Sequence, residues 1–189
     1  MQRTILSSAA ALLFVAAGLS APAPARADAS SACLAAAQAN QNLHSYRAVM
    51  VSDYGGKSET STVDIVKPDS FHVTGSGFEM IATGGRAWRR AGSSAWESMP
   101  GMSGKDIFST SSVDLKAHAH ACVDAGMGLW HGQPAHLYKS TGTNANRSAE
   151  TTLYVFGDGL VHHADITTSS GRISMDFSEF NSATVEPPK

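Results

Sequence analysis

The residues with most chemical potential crowd into the stretch "AHAHAC", Ala117 to Cys122, where His118, His120 and Cys122 alternate with alanines. On a strand, every second side chain shares a face, so two imidazoles and a thiolate would project together, a partial zinc or copper site. On a helix, His118 and Cys122 would share a face and His120 would not. No second cysteine lies nearby, and the nearest acids are Asp114 and Asp124. Two histidines alone make a weak site, so a metal here depends on the Cys122 thiolate, which a disulfide would remove.

A second candidate is His162-His163 with Asp165. Adjacent residues on a strand face opposite sides, so only one of these histidines could enter a site. Serines are plentiful, yet no glycine-flanked serine has the context of a hydrolase elbow, and Ser76 between Gly75 and Gly77 is a pattern common in loops. No nucleophile with its base emerges, and the expectation is a non-enzymatic protein without a cofactor.

The fate of Cys122 depends on where the chain lives. It opens "MQRTILSSAAALLFVAAGLSAPAPARADAS", with an early Arg3, an apolar run from Ala9 to Leu19, and small residues at Ala25 and Ala27. This pattern predicts a secretory signal peptide over residues 1–27, cleaved after Ala27, followed by one domain over residues 28–189. The apolar run is too short for a permanent membrane anchor, so the mature protein is expected in the periplasm. Cys33 in "SSAC" lacks the aliphatic residue expected before a lipid-modified cysteine. Cys33 and Cys122 are the only cysteines in an oxidising compartment, which predicts a Cys33–Cys122 bridge.

Without its first 27 residues the chain carries 12 basic and 16 acidic residues, a net charge of about −4 with neutral histidines. Such a surface lacks the basic footprint of a nucleic-acid binder.

The elements follow from periodicity. "SSACLAAAQANQNLH", Ser30 to His44, begins with capping serines and is rich in helix formers, which predicts one N-terminal helix. The period then changes to two. "YRAVMVSDYGGKSETSTVDIV" reads as two strands hinged at Gly55-Gly56, and "SFHVTG", "FEMIATGGRAWRR" and "SAWESMP" add more. From Pro100 to Leu115 the pattern dissolves into a predicted loop or short helix over the sheet. "HACVDAGMGLWHG", "QPAHLYKST", "ETTLYVFGDG", "LVHHADITTSS" and "RISMDFSEF" supply the remaining strands, with turns expected at Asp158-Gly159 and Gly171. The fold class is α+β, mainly antiparallel β.

A long antiparallel meander with little helical cover must close or curl around something to bury one face. The candidates for a concave apolar face are Met50, Ile65, Phe71, Phe78, Met80, Trp88, Trp96, Leu129, Tyr154, Phe156 and Met175. Met99, Met102, Ile107 and Phe108 cluster near the patternless segment, and adaptable thioethers there suit variable greasy ligands. For any one of these residues, simple core packing is the competing account.

"VDIVKPDSFHV" followed by "EMIATGGRAWRR" resembles the periplasmic lipoprotein-carrier family of the LolA type and its wider superfamily, which includes LolB-like receptors and mycobacterial lipid-binding lipoproteins of the LppX and LprG type. The matching positions are Lys67-Pro68, Phe71, and Gly84-Gly85 leading to Trp88. "GMGLWHGQPAHLYKS" is similar to the family's pattern at Gly126, Gly132, Ala135 and Tyr138, while "LYVFGDGLVHHADI" and "ISMDFSEFNSATVEPP" resemble its closing strands. The resemblance implies a strongly curved, incomplete barrel, with the N-terminal helix and a short helix or loop covering an apolar cavity for acyl chains. It implies a lipid or acylated lipoprotein as cargo, an inner-membrane donor and an outer-membrane acceptor, and a cargo-transfer role for Arg47. It is equally compatible with a sensor of mislocalised lipids that signals through a partner protein.

Overall fold

The computed structural model describes residues 29–105, 122–144 and 147–189. The expected signal peptide, the Ile107-Phe108 pair, and His118 and His120 lie outside the described residues.

Helix α1, Ala29–Asn42, buries Cys33, Ala36, Ala37 and Asn40. That i, i+3, i+4, i+7 stripe is a helical face built of small residues, so the helix can lie close to whatever it covers. Past its end the chain enters β1, Ser45–Tyr54, which turns back into β2, Lys57–Val66. Gly55 and Gly56 have φ of 58° and 78°, the pair of positive values a two-residue hairpin demands. Strands β3 (Ser70–Gly75), β4 (Phe78–Thr83), β5 (Arg86–Ala91) and the two-residue β6 (Glu97–Ser98) continue the meander. The chain resumes at β7 (Val123–Trp130) and proceeds through β8 (Gln133–Asn144), β9 (Arg147–Val155), β10 (Val161–Thr168) and β11 (Gly171–Ser178).

All eleven strands form one antiparallel sheet in the order β6-β5-β4-β3-β2-β1-β11-β10-β9-β8-β7. The chain therefore starts in the middle at β1, winds out to one edge, reappears at the other edge, and winds back until β11 pairs with β1. The sheet does not close, and its shape is a curved, incomplete barrel.

Two local expectations need correction. "SAWESMP" yields only Glu97 and Ser98 as strand, because only these two pair with β5, at Arg89 and Trp88. Gly171 is not a turn residue but the first residue of β11, opposite Tyr54, and Ser169 and Ser170 make the turn. A Cβ at Gly171 would stand 2.1 Å from the carbonyl oxygen of Asp53, so the position demands glycine for close approach.

The helix is held at both ends. Cys33 is bonded to Cys122, immediately before β7, with Cα atoms 6.3 Å apart. At the other end, the Asn40 amide donates to the Val161 carbonyl at 3.0 Å and accepts from the Val161 N–H at 2.8 Å. Val161 lies beyond the last β10–β11 pair, His163 with Asp176, so the Asn40 side chain satisfies backbone groups that β11 no longer reaches.

Candidate ligand-binding face

Directly opposite residues of an antiparallel pair share a face, so the registers sort every strand residue onto one of two surfaces. One row crosses the sheet through Met50, Met175, Ala164, Leu153 and Tyr138. This is the surface under α1, whose Cys33, Ala36 and Ala37 pack with Tyr138, Leu153, Val155, Val161, Ala164, Ile166 and Met175. Met50, Ile173 and Phe177 flank the cluster half-buried.

The same face continues away from the helix. Tyr46, Ile65, Phe71, Ala82 and Ala87 form one row, and Ala48, Val63, Val73 and Met80 form the next. Phe71, Ala82 and Ala87 make a second buried cluster, with Ile65, Val73, Met80 and Met99 packed on it half-buried. Among the described residues this second cluster contains no α1 side chain. Met99 borders it at the sheet edge, where its N–H donates to the Ala87 carbonyl at 2.8 Å, one residue beyond the Ser98–Trp88 pair. The chain beyond Met99 then meets the β2–β3 turn so closely that a Cβ on Gly104 would lie 1.5 Å from the Asp69 carbonyl oxygen.

Of the residues expected on the concave face, Met50, Ile65, Phe71, Met80 and Met175 stand on the face that α1 packs on, and Met99 packs at its edge. Phe78 shares the face at the tip of the β3–β4 hairpin, its ring over Gly75, and is 46% exposed. Leu129 has the right parity, opposite Pro134, but sits on the edge strand at 70% exposure. Met102 is exposed, and Phe108 lies outside the described residues.

Trp88, Tyr154 and Trp96 do not join this face. Trp88 pairs with Ile81, and Tyr154 pairs with His163, both on the opposite surface. Trp96 stacks under the Arg90 guanidinium, 4.6 Å from its ring centroid, beside the Glu79–Arg90 pair of that surface. Phe156 follows β9 and stacks on His162 at the rim, with centroids 4.4 Å apart. Aromatic content marks these residues as structural, but only register sets the phase that decides between the two surfaces.

Arg47 also stands on the surface away from α1. It makes two bonds to Asp64, at 2.6 and 2.9 Å, and one to Glu179 at 2.5 Å, which ties β1, β2 and the segment after β11 together. The hydrogen bonds that Arg47 donates to Asp64 raise the Arg47 pKa.

One feature escaped sequence reasoning, and one candidate it named, His163 with Asp165, has a setting it did not foresee. On the concave face Ser140 and Thr151, paired across β8 and β9, have buried hydroxyls without a partner. On the outer surface His163 is fully buried beneath Trp130, with Nδ1 2.8 Å from Asp176 and Nε2 3.4 Å from Asp165. Arg172 donates to Asp165 at 2.7 Å. His162 occupies a bulge, where regular alternation breaks, and bonds Asp158 at 2.8 Å, so the two adjacent histidines serve different surroundings. The His163-x-Asp165 spacing was the available signal, and Asp176 and Trp130 were not foreseeable from it.

The bridge consumes the Cys122 thiol, so that group is lost as a metal ligand. Among the described residues, no cluster of three or more His, Cys, Asp or Glu side chains is arranged to hold a metal ion. Ser76 occupies the β3–β4 hairpin turn.

An open, curved antiparallel half-barrel with a helix bonded onto its apolar face is an LppX-like fold. The lipoprotein LppX of Mycobacterium tuberculosis has a similar structure, at 14% identity over 85% of this chain and 96% of that one, with a TM-score of 0.62. LprF of Mycobacterium bovis is similar at 12% identity, with the same coverages and a TM-score of 0.60. At such identities the likeness is one of fold. No protein-family model matches the sequence, and no curated protein matches it significantly. No helix among the described residues is long and apolar enough to cross a membrane.

Proposed function

We propose that this protein is an exported, non-catalytic carrier that takes up an acyl chain of a lipid or lipoprotein on the apolar face of its half-barrel. The observation that carries the reading is the division of that face: α1 packs on the β8–β11 half, while the Ile65–Val73–Met80 surface carries no α1 side chain among the described residues and stays half-buried. Water-exposed apolar surface on a concave wall gains free energy whenever a chain covers it.

Each buried methylene contributes about 0.8 kcal/mol, so eight would supply roughly 6 kcal/mol before the cost of association is deducted. That magnitude suits reversible loading. Donor and acceptor membranes on either side of the periplasm follow from the same reading, with the signal peptide over residues 1–27 supplying export.

The test is native mass spectrometry and lipid extraction on protein purified from the periplasm, with displacement of a fluorescent fatty-acid probe. Co-purified amphiphile and competitive displacement are expected. Absence of both would overturn the carrier reading.

A further inference from the structure

At the rim of the half-barrel lies a pocket of about 410 Å³, lined by Trp130, Phe156, Phe177, His162 and Asp176, among others. Its walls are aromatic. Trp130 comes from the end of β7, Phe156 from the β9–β10 turn, and Phe177 from β11, where the Phe177 ring also packs on the apolar cluster under α1. His162 stacks on Phe156 and meets Phe180 edge-on at 4.8 Å, which fixes that wall.

The charge in the pocket is negative. Asp176 is half exposed and held in place through one oxygen, Oδ1, which accepts from Trp130 Nε1 at 3.1 Å and faces His163 Nδ1 at 2.8 Å. Its second oxygen is left to face the pocket or solvent. No lysine or arginine lines the space. Asp158, just behind His162, adds a second carboxylate at this rim.

Trp130 and Phe156 each stack one ring face on a histidine, and the aromatic rings lining the pocket beside a fixed carboxylate suit a diffuse organic cation by cation–π and Coulombic terms together. An anion would meet repulsion from Asp176, and a neutral apolar group would gain nothing from it. We propose that this pocket binds an alkylammonium group. Because Phe177 belongs both to the pocket and to the border of the apolar face, the group fits as the head of an amphiphile whose chain lies on that face, an extension that rests on the carrier reading.

The test follows the Trp130 indole N–H resonance by NMR during titration with choline and with its uncharged isostere 3,3-dimethyl-1-butanol. Choline should shift the resonance and bind about tenfold or more tighter than the isostere. Asp176→Asn, which keeps an acceptor for Trp130, and Phe156→Leu, which keeps bulk without a ring, should each erase that preference. Equal binding of the two probes, no shift with either, or an unchanged preference in both variants would overturn the proposal.

Dihexanoylphosphatidylcholine distinguishes the source: tighter binding than choline marks a lipid head, and equal binding marks a free ammonium solute in the same pocket. Displacement of the fatty-acid probe is scored separately. Probe binding without choline preference overturns the pocket proposal alone, and choline preference without probe binding overturns the carrier reading alone.

Discussion

The indole of Trp130 lies flat on the imidazole of His163, with ring centroids 3.5 Å apart and planes inclined by 17°. The contact joins the end of edge strand β7 to β10 and makes His163 the floor of an aromatic stack that Tyr154 closes edge-on at 4.8 Å. Removing the lid of that stack exposes a buried imidazole. Trp130→Ala is expected to cost about 3 kcal/mol, and Trp130→Phe, which keeps a ring but loses the bond to Asp176, about 1 kcal/mol. Urea unfolding followed by circular dichroism measures both, and equal effects would mean the indole N–H bond carries the contact instead of the stack.

The Cys33–Cys122 bridge closes a loop of 89 residues. In the chain-entropy account such a loop stabilises the fold by on the order of 4 kcal/mol. The double variant Cys33→Ser plus Cys122→Ser should lower the urea midpoint accordingly, and thiol titration of the unfolded, unreduced protein should find no free thiol.

Asn40 satisfies both the N–H and the carbonyl of buried Val161. Asn40→Ala leaves two backbone groups without partners and is expected to cost about 2 kcal/mol. Hydrogen exchange at the Val161 amide should accelerate more than at the Ala164 amide, which lies further into the β10 ladder. Uniform acceleration would point to global destabilisation without a local role.

Glu79 bridges His72, at 2.7 Å, and Arg90 on the outer surface. Burial alone would raise its pKa, but bonds from His72 and Arg90 outweigh that and hold the carboxyl below its ordinary 4.5. A depressed folded-state pKa means the stabilisation is complete above 4.5 and fades as pH falls through the folded value. Glu79→Gln should therefore cost stability at pH 7 and converge with the parent protein in strong acid, as read by thermal melts across that range.

The division into two faces predicts opposite outcomes for neighbouring positions. Met80→Glu places a charge on the apolar face and should weaken fatty-acid probe binding by about tenfold or more. Trp88→Ala lies on the opposite surface and should leave the affinity within about twofold of the parent. Equal losses would show that both faces contribute to binding.

Much of the architecture was legible from local chemistry. Gly55-Gly56 marked a hairpin because only glycine takes two positive φ values cheaply, and the small-residue spacing after Ser30 marked a helix. Two cysteines in a chain expected to be exported marked the bridge. The apolar face under α1 was only partly legible: Ile65, Phe71 and Met80 share it, while Trp88 and Tyr154 fall on the other side. Composition reveals that a residue is large and apolar, but a shift of one position in register reverses the face it serves.

The residues by themselves determined which segments are strands, where most of the hairpins turn, and that Cys33 and Cys122 meet, because each depends on backbone freedom or on a pairing with no rival. Only the tertiary structure decided that β11 pairs with β1, that α1 seals one half of the apolar face, and that Trp130 reaches across to His163 and Asp176. Those relationships depend on the order and curvature of the whole sheet, which bring together side chains that no local pattern connects.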